Sequence, residues 1–336
     1  MNGDENGERT VRRCINRHGP HFVVDLDLAE KAGATASRCY VERRILKTFT
    51  LDQLTIDDER SYRHIGLYDG LKEALIRDKV AFFVLGESVK KTNSWDRALF
   101  LNLTFWSPEQ PGDVLVSRHI PADVVMHAAW HHLTSRALVA GTTKHPKNSA
   151  DSLFLGESIA SAFDVYLLGR LMGHAPNSEF LRSQVPAMSE VAKAAGLSSK
   201  GFAQLLQSIA ADPDGAFEDL RSLLFDVSRA LFACTSVKEA AQALEAFKKK
   251  RFAPLLHHYE VSNWILYARA YASPRRDEAL AVDQTLRHVP VALDWLEEEW
   301  LAPAAGGGGA TASKKPAFSA AHPFKKANLA RRGKRR

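Results

Sequence analysis

The chain's strongest constraint is a near-continuous succession of helical segments over positions 121–301. Pro121 opens it, and proline is tolerated at a helix start because the N–H it lacks would be unpaired there anyway. Apolar residues then recur at helical spacing in eight stretches, 121–140, 152–173, 178–195, 199–211, 215–233, 236–250, 254–272 and 276–300. The stretches are separated at Gly141, Pro176, Gly196, Asp212-Pro213-Asp214-Gly215 and Ser273-Pro274. Such a run buries its apolar stripes only by packing helix on helix, so this part of the chain must be a helical array.

The first third has a different character. Positions 21–26 and 80–85 read as short strands, the second closed by Gly86, and 98–106 carries the strongest strand pattern in the chain. A turn cluster at 107–112 ends that strand. Positions 51–79 read as helix in two pieces, with Leu67, Leu71, Leu75 and Ile76 on one face. The expected fold is therefore α+β and predominantly helical, a small N-terminal mixed sheet followed by a helical array. Residues 1–12 hold only Met1 and Val11 as apolar members and are expected to be disordered. The expected organisation is an α+β unit over 13–175, a helical subdomain over 176–302 and a disordered basic tail over 303–336.

Charge is unevenly placed. The net charge is +6, yet the tail holds nine Lys or Arg and no acid, which leaves the first 302 residues at −3. Its clustered cations attract phosphates without reading sequence, and Phe318 and Phe324 offer stacking faces. The tail is thus expected to make weak contact with nucleic acid or with an acidic protein, or to serve as a solubilising extension. No helix-turn-helix, zinc-finger spacing or phosphate-cradling glycine loop accompanies it. Cys14, Cys39 and Cys234 are few, distant and odd in number, which argues against a disulfide framework. No uninterrupted apolar run approaches membrane-spanning length, and a cytoplasmic location is expected.

Six of the thirteen histidines fall between His119 and His174. His127 and His131 stand four apart, so a helix projects both imidazoles from one face. His132 is turned roughly 100° away by the helical period. Their helix is apolar nearly all round (Val124, Val125, Met126, Ala128, Ala129, Trp130, Leu133), the pattern of a buried helix. Two buried imidazoles need partners for their ring nitrogens, which a metal ion, a carboxylate or a carbonyl can supply. On the following helix Glu157 and Asp164 lie two turns apart with Ser158, Ala160, Ser161 and Ala162 between them. Small residues let a neighbouring helix come close, which would bring Glu157 to the histidines. The same residues also fit a tightly packed core with Glu157 merely hydrogen-bonded.

A strand, a buried helix with His127 and His131, and a second helix with Glu157 resemble the core of zincin metallopeptidases, most of all the gluzincin branch. The resemblance covers about 80–175. It implies His127, His131 and Glu157 as three ligands of zinc or another divalent metal, with one coordination position open. In that family a general-base glutamate directly follows the first histidine; here Ala128 stands in its place. The resemblance therefore implies a metal-binding, zincin-like protein without ordinary peptidase activity. Asp123, one turn before His127, is the expected outer partner of that histidine, and Asp164 is poorly placed as a substitute base. The alternative is a non-enzymatic helical interaction protein that works through its basic tail. Three lesser features complete the reading. His257, His258, Tyr259, Glu260, Asn263, Trp264, Tyr267 and Tyr271 could line a pocket wall or supply a donor to the metal, whereas the Trp and Tyr residues fit core or interface packing better. His18 and His21 read as a turn, and 248–251 as a solvated helix end.

Overall fold

The computed structural model describes residues 46–85, 114–115, 117–138, 149–272 and 278–301. The expected strands at 21–26 and 98–106, the His18 and His21 turn and the terminal segments 1–12 and 303–336 lie outside these residues. The described part is α+β and predominantly helical, as expected.

Two small sheets precede the helices. β1 (Leu46–Thr50) pairs antiparallel with β3 (Ala81–Leu85), from Leu46 opposite Leu85 to Thr50 opposite Ala81. β3 pairs parallel with β4 (Val114–Leu115), so this sheet is mixed, in the order β1-β3-β4. β2 (Thr55–Asp57) pairs parallel with β5 (His119–Pro121), and β5 runs straight into α2 (Ala122–Leu138).

The stretch at 51–79 departs from expectation. Only its second piece is an α-helix, α1 (Leu67–Arg77). The first piece is two single turns, Leu51–Gln53 and Glu59–Tyr62, on either side of β2. The reason is local: β-branched Thr55 and Ile56 are drawn into pairing with β5, and Asp58 adopts the left-handed conformation at φ 55, which no helix continues through. On α1, Leu67, Leu71 and Leu75 are buried, whereas Ile76 is 36% exposed.

The helices that follow keep close to the sequence pattern. They are α3 (Ala150–His174), α4 (Glu179–Ala194), α5 (Ser199–Ala211), α6 (Pro213–Ala233), α7 (Val237–Phe247) and α8 (His258–Tyr271). Side-chain caps begin several of them. Ser149, Ser178, Ser198 and Ser236 each accept from a backbone N–H three residues on, as does Asp212 before α6; such a cap stabilises by about 1 kcal/mol. The expected helix 276–300 is divided into α9 (Ala279–His288) and α10 (Ala292–Leu296), with a π turn at Glu297–Leu301. Pro290 lies at the division, where it cannot donate to a continuing helix. At 248–251, Lys248, Lys249 and Lys250 are exposed after the end of α7, as a solvated helix end requires.

α3 is the axis of the array. It packs against α2, α5, α6, α8 and α9 and is buried on nearly every side. Two glycines set how closely its neighbours approach. A Cβ on Gly156 would meet Thr134 of α2 at 3.2 Å, and one on Gly169 would meet the Ile209 carbonyl of α5 at 2.7 Å. Trp130 of α2 meets Phe163 of α3 edge-on, with ring centroids 5.4 Å apart. By length and composition α3 could also span a membrane, but 83% of its apolar window is buried inside the protein. One hydrophobic cluster takes residues from both sides of position 175, from Leu51 to Leu301.

Candidate metal centre

α2 and α3 together build the site. The apolar surface of α2 (Val125, Met126, Ala129, Trp130, Leu133) is buried, which turns His127 and His131 along the seam with α3. There His131 Nε2 lies 3.1 Å from His127 Nε2 and 3.7 Å from Glu157 Oε2. The two rings are tilted by 59°, with centroids 4.9 Å apart. His127 Nδ1 lies 3.1 Å from Asp164 Oδ2. His132 points elsewhere, as the helical period requires: it meets Asp78 at 2.7 Å beside Arg136. The structure thus brings together the three residues singled out from sequence and adds Asp164. Asp123, expected beside His127 as its outer partner, instead accepts a long hydrogen bond from the Tyr62 hydroxyl at 3.5 Å. The helical repeat explains the exchange. Asp164 is two turns beyond Glu157 on the same face of α3, and so reaches the histidine one turn before His131 on α2.

The contacts favour one arrangement of the ring protons. Where the Asp164 oxygen accepts, His127 Nδ1–H is the donor in this contact. In that tautomer the Nε2 lone pair of His127 faces His131. Two bare lone pairs 3.1 Å apart would repel, so a proton or a cation must lie between the nitrogens. Burial, reinforced by the adjacent His127, holds His131 well below the ordinary imidazole range, and it stays neutral near pH 7. Asp123 is shifted the other way. Burial first, then the nearby Asp164 charge, raises it to about 6, against a partial opposing pull from its backbone hydrogen bond, His127 and Tyr62.

Two ligand atoms about 2.0–2.1 Å from one tetrahedral ion stand about 3.3–3.4 Å apart. The imidazole pair is close to that spacing. The Glu157 oxygen, 3.7 Å from His131 Nε2, lies outside it. Among the described residues no group of three or more His, Cys, Asp or Glu side chains is placed so that it could hold a metal ion. What the structure does place together is a pair of imidazole nitrogens with a carboxylate at its margin. Glu157 is only 4% exposed, and an ionised carboxylate so deeply placed requires a cation or hydrogen-bond donors nearby.

A cleft of about 570 Å³ opens beside this cluster. His127, Glu157 and Asp164 form one wall, Met188 and Val191 of α4 another, and α8 closes it with His257, Glu260, Asn263, Trp264 and Tyr267. Trp264 also packs against the core, so the two roles weighed for the α8 aromatics hold together for this residue.

Comparison with protein-family models, curated proteins and solved structures gives no match. The chemistry of the site must therefore be read from its own residues. Sequence reasoning missed the α4 wall and the contact of Asp164 with His127. The second was findable, because the seven-residue spacing from Glu157 puts both carboxylates on one face of α3.

Proposed function

We propose that the protein binds one divalent metal, zinc in the first place, through His127, His131 and Glu157. The observation that carries this reading is the 3.1 Å approach of the two Nε2 atoms, one of them held in the metal-binding tautomer by Asp164. A carboxylate behind a histidine is the usual outer arrangement of metal-ligating imidazoles. A bound zinc would supply Lewis acidity and lower the pKa of a bound water. The chain's own part is to hold the two imidazoles, keep His131 neutral and present the cleft. The zincin-like resemblance belongs to this proposal, and so does the lack of peptidase activity. Position 128 is alanine, and loss of a general base removes about 10²–10⁴ of rate.

Metal analysis of the purified protein is the test. The expected result is close to one equivalent of zinc, largely lost in His127→Ala. Less than about a tenth of an equivalent, unchanged by that substitution, would overturn the reading.

A second reading is supported by the same chain of contacts from Asp164 through His127 to His131. With a single proton between the nitrogens, the Asp164–His127–His131 chain is satisfied without metal. The protein is then a non-enzymatic interaction module whose basic tail contacts nucleic acid or an acidic partner. The imidazole tautomers separate the two readings. The metal-free chain needs the His131 proton on Nε2, whereas coordination moves it to Nδ1, and nitrogen NMR of zinc-titrated protein reports the difference. Deletion of 303–336 tests the tail, since unchanged salt-dependent retention on nucleic acid would remove it as the contact.

A further inference from the structure

The cleft beside the cluster has a definite chemical bias. Much of its lining is apolar, including Met188, Val191, Leu220 and Leu224. Its charged lining is of one sign: Glu157, Asp164 and Glu260 face it, and among the described lining residues there is no Lys or Arg. On α8, Glu260, Trp264 and Tyr267 lie at i, i+4 and i+7, one stripe along the helix. A carboxylate in line with two aromatic rings at the edge of an apolar cavity is the arrangement that recognises an organic cation. The rings attract the cation through their faces and the carboxylate pairs with it.

We propose that the cleft binds an amphipathic amine, an ammonium head on an apolar body such as a basic or N-terminal group of a peptide, with the head at Glu260 and the body over Met188 and Leu224. Glu260 is suited to this because it is 59% exposed at the rim, where an ammonium keeps part of its hydration. Within the structure Glu260 has His257 Nδ1 at 4.0 Å. Carboxylate and phosphate ligands are disfavoured by the three acidic side chains. The inference rests on the proposed function only in placing the ligand beside the metal centre; binding itself requires no metal.

The test is calorimetric titration of the full chain with three probes of one shape, phenylbutylamine, phenylbutanol and phenylbutyrate, at about pH 8. The expected order is amine tightest, alcohol weaker by about threefold to tenfold, and the anion weakest. Glu260→Gln, a rim substitution, is expected to reduce amine affinity to that of the alcohol without changing the alcohol's own affinity. Trp264→Leu is expected to weaken both. The titrations are run with and without a chelator. Equal amine binding in both supports the cleft whatever becomes of the metal. Binding of phenylbutyrate as tight as that of the amine, no measurable amine binding, or an amine preference untouched by Glu260→Gln would overturn the proposal. Each of these results leaves the zinc measurement standing.

Discussion

Asp123 offers a quantitative test of the electrostatics around the two histidines. Its carboxyl is raised to about 6 in the fold, by burial first and by Asp164 second. In the unfolded chain it returns to about 3.9. Between these values the folded protein keeps a proton that the unfolded chain releases, so stability falls as pH rises. It is fully present below about pH 4 and lost by the time pH has passed about 6. At about 1.4 kcal/mol for each pH unit of difference, the loss is about 3 kcal/mol above pH 7. A side-chain amide at this position would resemble the protonated carboxyl at every pH. Asp123→Asn is therefore expected to match the parent near pH 4, apart from a constant offset, and to exceed it by about 2–3 kcal/mol near pH 7.5. His131 acts with opposite sign, because its depressed value adds stability that is lost as pH falls below the ordinary imidazole range. It is present in both chains and cancels in the comparison. The assay is urea denaturation of both proteins across that pH range, with metal removed. Saturating zinc gives a further check: a cation on His127 favours ionised Asp123, so the advantage of the substitution should shrink. A stability difference that does not change with pH would refute the electrostatic account of the site.

Two more substitutions probe the site and the core. Asp164→Ala removes the acceptor that orients His127 and is expected to weaken zinc affinity about 10–100-fold, read by competition with a chromogenic chelator; an unchanged affinity would mean that the contact does not orient the ligand. Arg221 is fully buried, with Nε and Nη2 of its guanidinium on Glu218 and Nη1 on Asp283 at 2.8 Å, while Arg287 holds Asp283 from the other side. Arg221→Met should cost about 3–5 kcal/mol in denaturation, and the double change with Asp283→Leu should recover much of it, because the penalty lies in the carboxylate left behind.

Much of this was legible in the sequence. The helical array could be read because proline and glycine mark its breaks, as Pro176, Gly196 and the run Asp212-Pro213-Asp214-Gly215 show. The pairing of His127, His131 and Glu157 was legible for a similar reason: spacing on two helices and small residues between them fix which side chains face each other. The turns at 51–62 were not, since their conformation follows from pairing with β5, which lies far along the chain at His119–Pro121. Nor was the α4 wall. Its contact with the cluster depends on how helices that are separate in sequence stack on α3, which no local pattern encodes.

The contrast between α3 and α4 has a consequence for exchange measurements. α3 carries Glu157 and Asp164 and is enclosed by other helices along most of its length. α4, across the cleft, buries only Phe180, Leu181 and Ala192 and contains Pro186, which removes one of its internal hydrogen bonds. The amides of α3 should then exchange with deuterium only through global unfolding, and those of α4 through local opening. The half of the site that holds the carboxylates is set by the fold as a whole, whereas the half that admits a ligand can yield alone.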